Sequence, residues 1–270
     1  MSGEMMANPR FAAYLFDLDG TVYLGESLLP GVRELIGGLR ALDIPVRFLS
    51  NNPTKSRDDY VARLSRLGIA VSPDEIVTSV QTMVTWLLAN YPDATVFPIS
   101  EQPLIDALDS AGIRRSENPA EIDIVIASYD RTFEYRKLQT AFDAIWFEKR
   151  AFLISTNPDR FCPFPGGRGE PDAAGIVAAI EATTGATCRL TTGKPSRLML
   201  DLALLPLGID PARCVMVGDR LATDIAMAND AGMASALVLT GETNREMLEA
   251  APVSALPTIV LDRIDQLLPS

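Results

Sequence analysis

Apolar residues gather in short unbroken runs, separated by stretches with a helical beat. Tyr14–Phe16 runs straight into Asp17-Leu18-Asp19-Gly20-Thr21, which predicts a buried strand meeting a loop. Pro30 and Gly31 then precede Val32, Leu35, Ile36, Leu39 and Leu42, the i, i+3, i+4, i+7 stripe of an amphipathic helix. Pro45–Leu49 predicts a second strand, and it too empties into a polar loop, Ser50-Asn51-Asn52-Pro53. Tyr60, Leu64 and Leu67 mark one face of the next helix, and Gly68 ends it. After Ile76–Thr78 and a helix through Trp86–Leu88, Tyr91-Pro92-Asp93 breaks the pattern.

The same alternation then restarts, with strands near 95–99, 122–127 and 151–154 and helices between and after them. A second break surrounds 183–192. The last third predicts a helix from Ser196, strands at 214–217, 236–239 and 258–261, and a helix ending near Gly232. Continuous apolar strands alternating with amphipathic helices predict an α/β fold built on a doubly wound, Rossmann-like parallel sheet. Two such series, one nested in the other, predict a core of residues 1–92 and 189–270 interrupted by an inserted α/β domain at 93–188.

Composition narrows the chemistry. The 270 residues hold no histidine, which removes Ser-His-Asp and Cys-His catalysis, histidine-bound zinc and histidine pH switching together. Acid–base work falls to carboxylates, lysine, tyrosine or metal-bound water. Lys plus Arg number 24 against 35 Asp plus Glu, a net charge of -11 spread along the chain. Such a surface repels polyanions, so nucleic acid and anionic membranes are not expected partners; a small anionic metabolite needs a local site that overrides the field. Three cysteines without C-x-x-C spacing fit a reducing cytoplasm, and the opening MSGEMMANPR carries no leader-like apolar run. A soluble, cytoplasmic protein is expected, its oligomeric state open, a homodimer included.

Four clusters carry candidate chemistry. Asp17-Leu18-Asp19-Gly20-Thr21, Ser50-Asn51-Asn52 and Gly218-Asp219, with Asp224 behind it, each follow an apolar strand. Open α/β sheets bind ligands in the crevice outside those strand ends, so distant loops are delivered to one place. The fourth cluster, Thr192-Gly193-Lys194-Pro195-Ser196, opens a helix and brings a cation; no glycine stands five positions before Gly193, which excludes a P-loop. Carboxylates crowded in a cleft raise one another's pKa, and a hard divalent cation such as Mg²⁺ relieves this. A carboxylate can also attack phosphorus, while lysine, hydroxyl and N–H groups stabilise the transferring charge.

D-x-D-G-T, then Ser50, then Lys194, then G-D-x-x-x-x-D resembles, in kind and order, the four motifs of the haloacid dehalogenase superfamily. Ser50-Asn51-Asn52, Gly193-Lys194-Pro195, the late insertion, Asp130-Arg131-Thr132-Phe133 and Asn157-Pro158-Asp159 are similar to its NagD-like capped phosphatases. The resemblance implies a Mg²⁺-dependent phosphatase of small phosphorylated metabolites. It makes Asp17 the nucleophile and a metal ligand. Asp19 becomes the acid–base, binding metal through its carbonyl. Ser50, Asn51 and Asn52 become phosphate contacts, Lys194 the neutralising cation, Asp219 a metal ligand and Asp224 a residue behind the metal that orients Lys194 or a water. A mutase or phosphotransferase on the same scaffold, or a non-catalytic phosphometabolite binder, are the alternatives; the insertion follows the second motif, whereas the resembling mutases carry theirs after the first. In the inserted domain, Arg131 and Arg160 are expected to capture substrate, with polar contacts from Asp130, Asn157 and Asp159. Phe164–Gly169 reads as a flexible loop rather than an anion nest, and Cys162 as a small packing residue.

Overall fold

The computed structural model describes residues 11–164 and 168–269. Among these, two compact units emerge: 11–49, 58–77 and 200–269 form one, and 50–57 with 78–199 form the other. Each is built on its own sheet.

The first sheet has six strands, in the order Ile259–Leu261, Ala234–Val238, Cys214–Gly218, Ala13–Asp17, Val46–Ser50 and Ile76–Thr78. The first five are parallel. Ala13–Asp17 and Cys214–Gly218 are buried along their whole length, which is why they read as unbroken apolar runs rather than as alternation. Tyr14, Phe16 and Phe48 stack through the core at centroid separations of 6.4 and 5.9 Å. Helix Val32–Ala41 adds Val32, Leu35, Ile36 and Leu39 to that core, the stripe read from the sequence. From Ala13–Asp17 the chain builds outward first on one side and later on the other. The carboxyl end of that strand is therefore the switch point of the sheet.

The second sheet has four parallel strands, ordered Arg114–Arg115, Thr95–Ile99, Ile124–Ala127, Phe152–Ser155. Alternate residues feed two cores. Val96, Ile124, Ile126 and Ile154 go to one face, and Phe97, Ile99, Val125, Ala127 and Leu153 to the other.

The compact units divide elsewhere than at 93–188. Helix Ser79–Asn90 belongs with the second unit, because Val80, Met83 and Leu87 pack in one cluster with Val96, Leu104 and Ile124. The Tyr91-Pro92-Asp93 break ends that helix; it does not part the units. The helix expected to end near Gly232 is a π-helical turn, Leu221–Ile225, followed by a short α-helix, Ala226–Asp230. The expected loop around Phe164–Gly169 is flanked by a ribbon: Phe161–Phe164 pairs antiparallel with Arg168–Pro171, Cys162 opposite Glu170, while 165–167 lie outside the described residues. The N-terminal segment behind the leader reading, 1–10, lies outside them too. No described helix is long and apolar enough to cross a membrane.

Met83 is wholly buried at the join between helix Ser79–Asn90 and the second sheet. Met83→Ala should destabilise the protein by about 2–5 kcal/mol, read as a lowered denaturant midpoint at unchanged slope.

Candidate active site

Strand register places the acidic residues. Phe16 lies opposite Val217, so the chain delivers Asp17 at the level of Gly218, with Asp219 one residue further on. On the other side Asp17 lies opposite Leu49, the residue before Ser50. The π-turn after Asp219 folds Asp224 back, and its Oδ2 accepts the Arg220 N–H at 3.1 Å. One carboxylate oxygen from each of Asp17, Asp219 and Asp224 lies within 4.8 Å of the others. The sequence reading set Asp224 behind the metal. Its carboxylate instead sits within the group, and the carboxylate of Asp19 does not.

These acids are not relaxed. Asp17 is 9% exposed, Asp219 2% and Asp224 not at all. Burial, reinforced by the charges of Asp17 and Asp224, pushes the Asp219 carboxyl well above the usual carboxylate range. Three hard oxygen donors gathered within 4.8 Å of one another match a small divalent cation, so Asp17, Asp219 and Asp224 are the residues that fit Mg²⁺.

The loop after strand Ala234–Val238, which the sequence reading passed over, grips Asp219. The Glu242 N–H donates to Asp219 Oδ2 at 2.6 Å, and the Thr243 N–H to the Asp219 carbonyl at 3.2 Å. Thr21 Oγ1 donates to Oδ1 at 3.5 Å, and Thr240 Oγ1 to the Gly20 carbonyl at 2.6 Å. Two glycines make room. Gly20 turns at φ +88°, and a Cβ on Gly241 would stand 2.0 Å from Asp219 Oδ2. The Gly241-Glu242-Thr243 run right after an apolar strand was the available signal.

Asp19 stands apart and exposed. The Tyr23 hydroxyl donates to its Oδ2 at 3.1 Å, across a turn closed by the Gly20 N–H on the Tyr23 carbonyl at 2.8 Å. Burial, with Asp19's charge next, holds the Tyr23 phenol far above its ordinary value, so it remains a donor. Tyr23 is a second residue the sequence reading missed; its place in the turn, four residues after Asp19, was the clue.

In the second unit, Ser50, Asn51, Asn52 and Lys194 assemble around main chain. Asn51 Oδ1 accepts the Lys194 N–H at 2.7 Å, and its Nδ2 donates to the Lys194 carbonyl and to Asp159 Oδ2, both at 3.0 Å. Asn51 is thus a clamp on Lys194, its amide spent on protein partners rather than held open as a phosphate contact. The Asn52 N–H donates to Ser50 Oγ at 3.3 Å. Asn52 Oδ1 in turn caps Thr54 N–H and Oγ1 at 2.9 and 2.7 Å. Lys194 is 2% exposed.

Of the residues expected to capture substrate, Arg131, Asp130 and Asn157 have side-chain partners within the unit. Arg131 pairs with Glu101 through two hydrogen bonds, 2.5 and 2.7 Å, and holds its carboxyl below the usual range. Asp130 ties its own turn, accepting from Thr132 and from Lys137 Nζ at 2.5 Å. Asn157 is fully buried and bonds Asp159 and Asp172. Arg160 is exposed.

The chain matches the family model for haloacid dehalogenase-like hydrolases over residues 14–114, and a second model for HAD-like hydrolases over 191–267. The Bacillus subtilis sugar-phosphatase AraL is 38% identical over 87% of this chain and 85% of its own length. That decides the family. The chain belongs to the haloacid dehalogenase-like hydrolases. An acid sugar phosphatase of Staphylococcus haemolyticus is 33% identical over 89% of each chain. Among solved structures, a 4-nitrophenylphosphatase of Thermotoga maritima superposes with a TM-score of 0.89 at 35% identity, covering 96% of both chains. A chain described as a putative NagD protein superposes at 0.81 with 36% identity, over 89% of this chain and 93% of its own. The parallel sheets with flanking helices are those of this NagD-like branch.

Two predictions follow from the strained carboxylates. Between the ordinary 3.8 and its raised value, Asp219 keeps a proton in the folded state that the unfolded chain has released. The stability of chelator-treated protein should therefore fall as pH rises through that window, and added Mg²⁺ should restore it. Thermal melts across pH, with and without Mg²⁺, check this; Asp219→Asn should flatten both dependences. Gly241→Ala should displace the Asp219 carboxylate and weaken Mg²⁺ affinity about 10–100-fold, measured by calorimetric titration.

Proposed function

We propose that the chain is a Mg²⁺-dependent phosphomonoesterase that works through a phosphorylated Asp17 on esters of small metabolites, sugar phosphates foremost. The observation that carries this is the separation of two kinds of carboxylate on one loop. Asp17 lies in the buried group with Asp219 and Asp224, while Asp19 is exposed and held by a neutral phenol. The first environment suits a nucleophile kept ionised by a cation; the second suits a group that must gain and lose a proton. The relatives named sugar phosphatases and nitrophenylphosphatases support the class of substrate.

In the first step an Asp17 carboxylate oxygen attacks phosphorus in line and the ester P–O bond breaks. Protonated Asp19 gives its proton to the departing oxygen, so a neutral alcohol leaves. In the second, ionised Asp19 takes a proton from water as that water attacks phosphorus. The Asp17 acyl-phosphate bond breaks, and inorganic phosphate leaves with Asp17 restored. Tyr23 holds one Asp19 oxygen throughout, which leaves the other for the transferred proton. By the motif order that they share with the family, Lys194 and Ser50 are assigned the stabilisation of charge on the phosphoryl oxygens. Asp17, Asp219 and Asp224, with the Asp19 main-chain carbonyl, would hold a Mg²⁺, which would supply charge neutralisation for the nucleophile and the phosphoryl group.

Asp17→Asn should lower kcat on nitrophenyl phosphate by several orders of magnitude, since the variant loses the charge that attacks phosphorus. A variant keeping a tenth of the activity would exclude this mechanism. Asp19→Asn should lose far more activity on alkyl phosphates than on nitrophenyl phosphate, whose leaving group needs little protonation. Equal losses would remove Asp19 from proton transfer. Tyr23→Phe should reproduce the same leaving-group dependence in weaker form, about tenfold or less, through the loss of one hydrogen bond to Asp19.

A further inference from the structure

We propose that Asp159 is a positioning residue for Lys194, acting by fixing which way the Asn51 side-chain amide faces. This deepens the preceding proposal and rests on its reading of Lys194 as the group that neutralises the phosphoryl charge.

Asn51 meets both backbone groups of Lys194, as a neighbouring strand would, although 143 positions separate them. Its oxygen accepts the Lys194 N–H and its nitrogen donates to the Lys194 carbonyl. A side-chain amide has two orientations, related by a half-turn about its last bond, that swap oxygen and nitrogen in nearly the same shape. The Lys194 peptide groups lie in a turn whose flanks are tied by the Gly193 N–H on the Thr156 carbonyl at 2.7 Å and the Ser196 N–H on the Gly193 carbonyl at 2.9 Å, which leaves the two Lys194 groups themselves to be set by the amide. A carboxylate cannot follow such a swap, because both its oxygens only accept. Asp159 Oδ2, 3.0 Å from Asn51 Nδ2, admits the nitrogen and repels the oxygen. One orientation of Asn51 survives, and with it one position of the Lys194 main chain.

Asp159 can set that reference because it is itself tied to rigid elements. Asn157, two residues after strand Phe152–Ser155, donates from Nδ2 to Asp159 Oδ2 at 2.9 Å and to Asp172 Oδ1 at 3.0 Å. Asp172 accepts the Ala173 N–H at 2.6 Å at the start of the twelve-residue helix Ala173–Thr184, where a carboxylate is favoured. Asn51, Asn157, Asp159 and Asp172 are all at most 9% exposed, so water competes little for these bonds. Fixing the main chain of Lys194 sets the origin and direction of its Cα–Cβ bond, from which a buried, packed stem carries the ammonium group.

The test compares wild type with D159N, N51D, the double variant N51D/D159N and, as reference, K194A. Each is measured for kcat and KM on nitrophenyl phosphate, for inhibition by orthovanadate and for thermal midpoint. D159N keeps the shape but can turn either way, so kcat should fall about 10–100-fold and vanadate inhibition should weaken in step. N51D sets two carboxylates against each other and should fall further. In the double variant the amide introduced at position 159 can donate to the carboxylate introduced at position 51, which relieves the carboxylate repulsion but restores neither the donor to the Lys194 carbonyl nor the acceptor for Asn157, so kcat should recover in part over N51D and stay below wild type. Losses in the double variant equal to the product of the single ones would overturn the proposal. So would near-normal kcat in D159N, or a fall in thermal midpoint with kcat unchanged. If D159N fails to fold, N51S carries the test: it leaves Asp159 and Asn157 in place and should show the same loss in kcat, and unchanged kcat would count against the proposal. An active K194A would instead overturn the underlying reading of Lys194.

Discussion

Three buried carboxylates that would repel one another in isolation are the constraint on which the first unit is organised. Asp17, Asp219 and Asp224 reach one spot because parallel strands end there in register, and because a π-turn brings the third back over the second. Nothing in hydrophobic burial favours this arrangement. It raises the Asp219 pKa and costs folding free energy wherever no positive charge compensates it. The surrounding residues act to hold it: the Glu242 N–H and Thr21 hydroxyl on Asp219, and the two glycines that leave its carboxylate room. The two central strands beneath, Ala13–Asp17 and Cys214–Gly218, are buried along their whole length and anchor the group.

The second unit solves a different problem. A cation must be set down in a loop with little solvent around it, and main-chain groups must be satisfied there without a strand to pair with. Asn51 does both, as a clamp on Lys194 that is itself oriented by Asp159. Several exposed cations of this unit are paired with carboxylates. Arg131 is held by Glu101, with Glu170 3.9 Å away, and Glu170 also takes the Tyr129 hydroxyl. An ion pair of this kind fixes the loop 129–131 against the ribbon strand Arg168–Pro171. It shapes a surface more than it advertises positive charge, which fits a chain of net charge -11 only if the attraction for an anion is concentrated elsewhere.

Much of this was legible in the sequence because strand ends leave a plain mark. An apolar run broken by Asp-x-Asp-Gly, Ser-Asn-Asn or Gly-Asp is both a fold signal and a chemical one, and Asp17, Ser50 and Asp219 stand at or just beyond the ends of the observed strands. Partnership is what the sequence left hidden. Whether Asp224 joins Asp219 depends on a π-turn that inserts one residue into the helical beat, and periodicity cannot register one residue. Tyr23 reads as a core aromatic until its hydroxyl is seen on Asp19. Arg131 and Asn157 look alike as polar loop residues, yet one is exposed on Glu101 and the other buried on two carboxylates. The helix Ser79–Asn90 shows the same limit for packing: a helix through Trp86–Leu88 is legible, but not which sheet it meets.

Two successive in-line displacements at phosphorus, the first by Asp17 and the second by water, make up the central claim. Hydrolysis of a phosphate monoester made chiral with oxygen isotopes, followed by configurational analysis of the product, tests it most directly. Overall retention is expected, since each displacement inverts phosphorus once. Overall inversion would mean that water attacks the substrate in a single step and that Asp17 never carries the phosphoryl group.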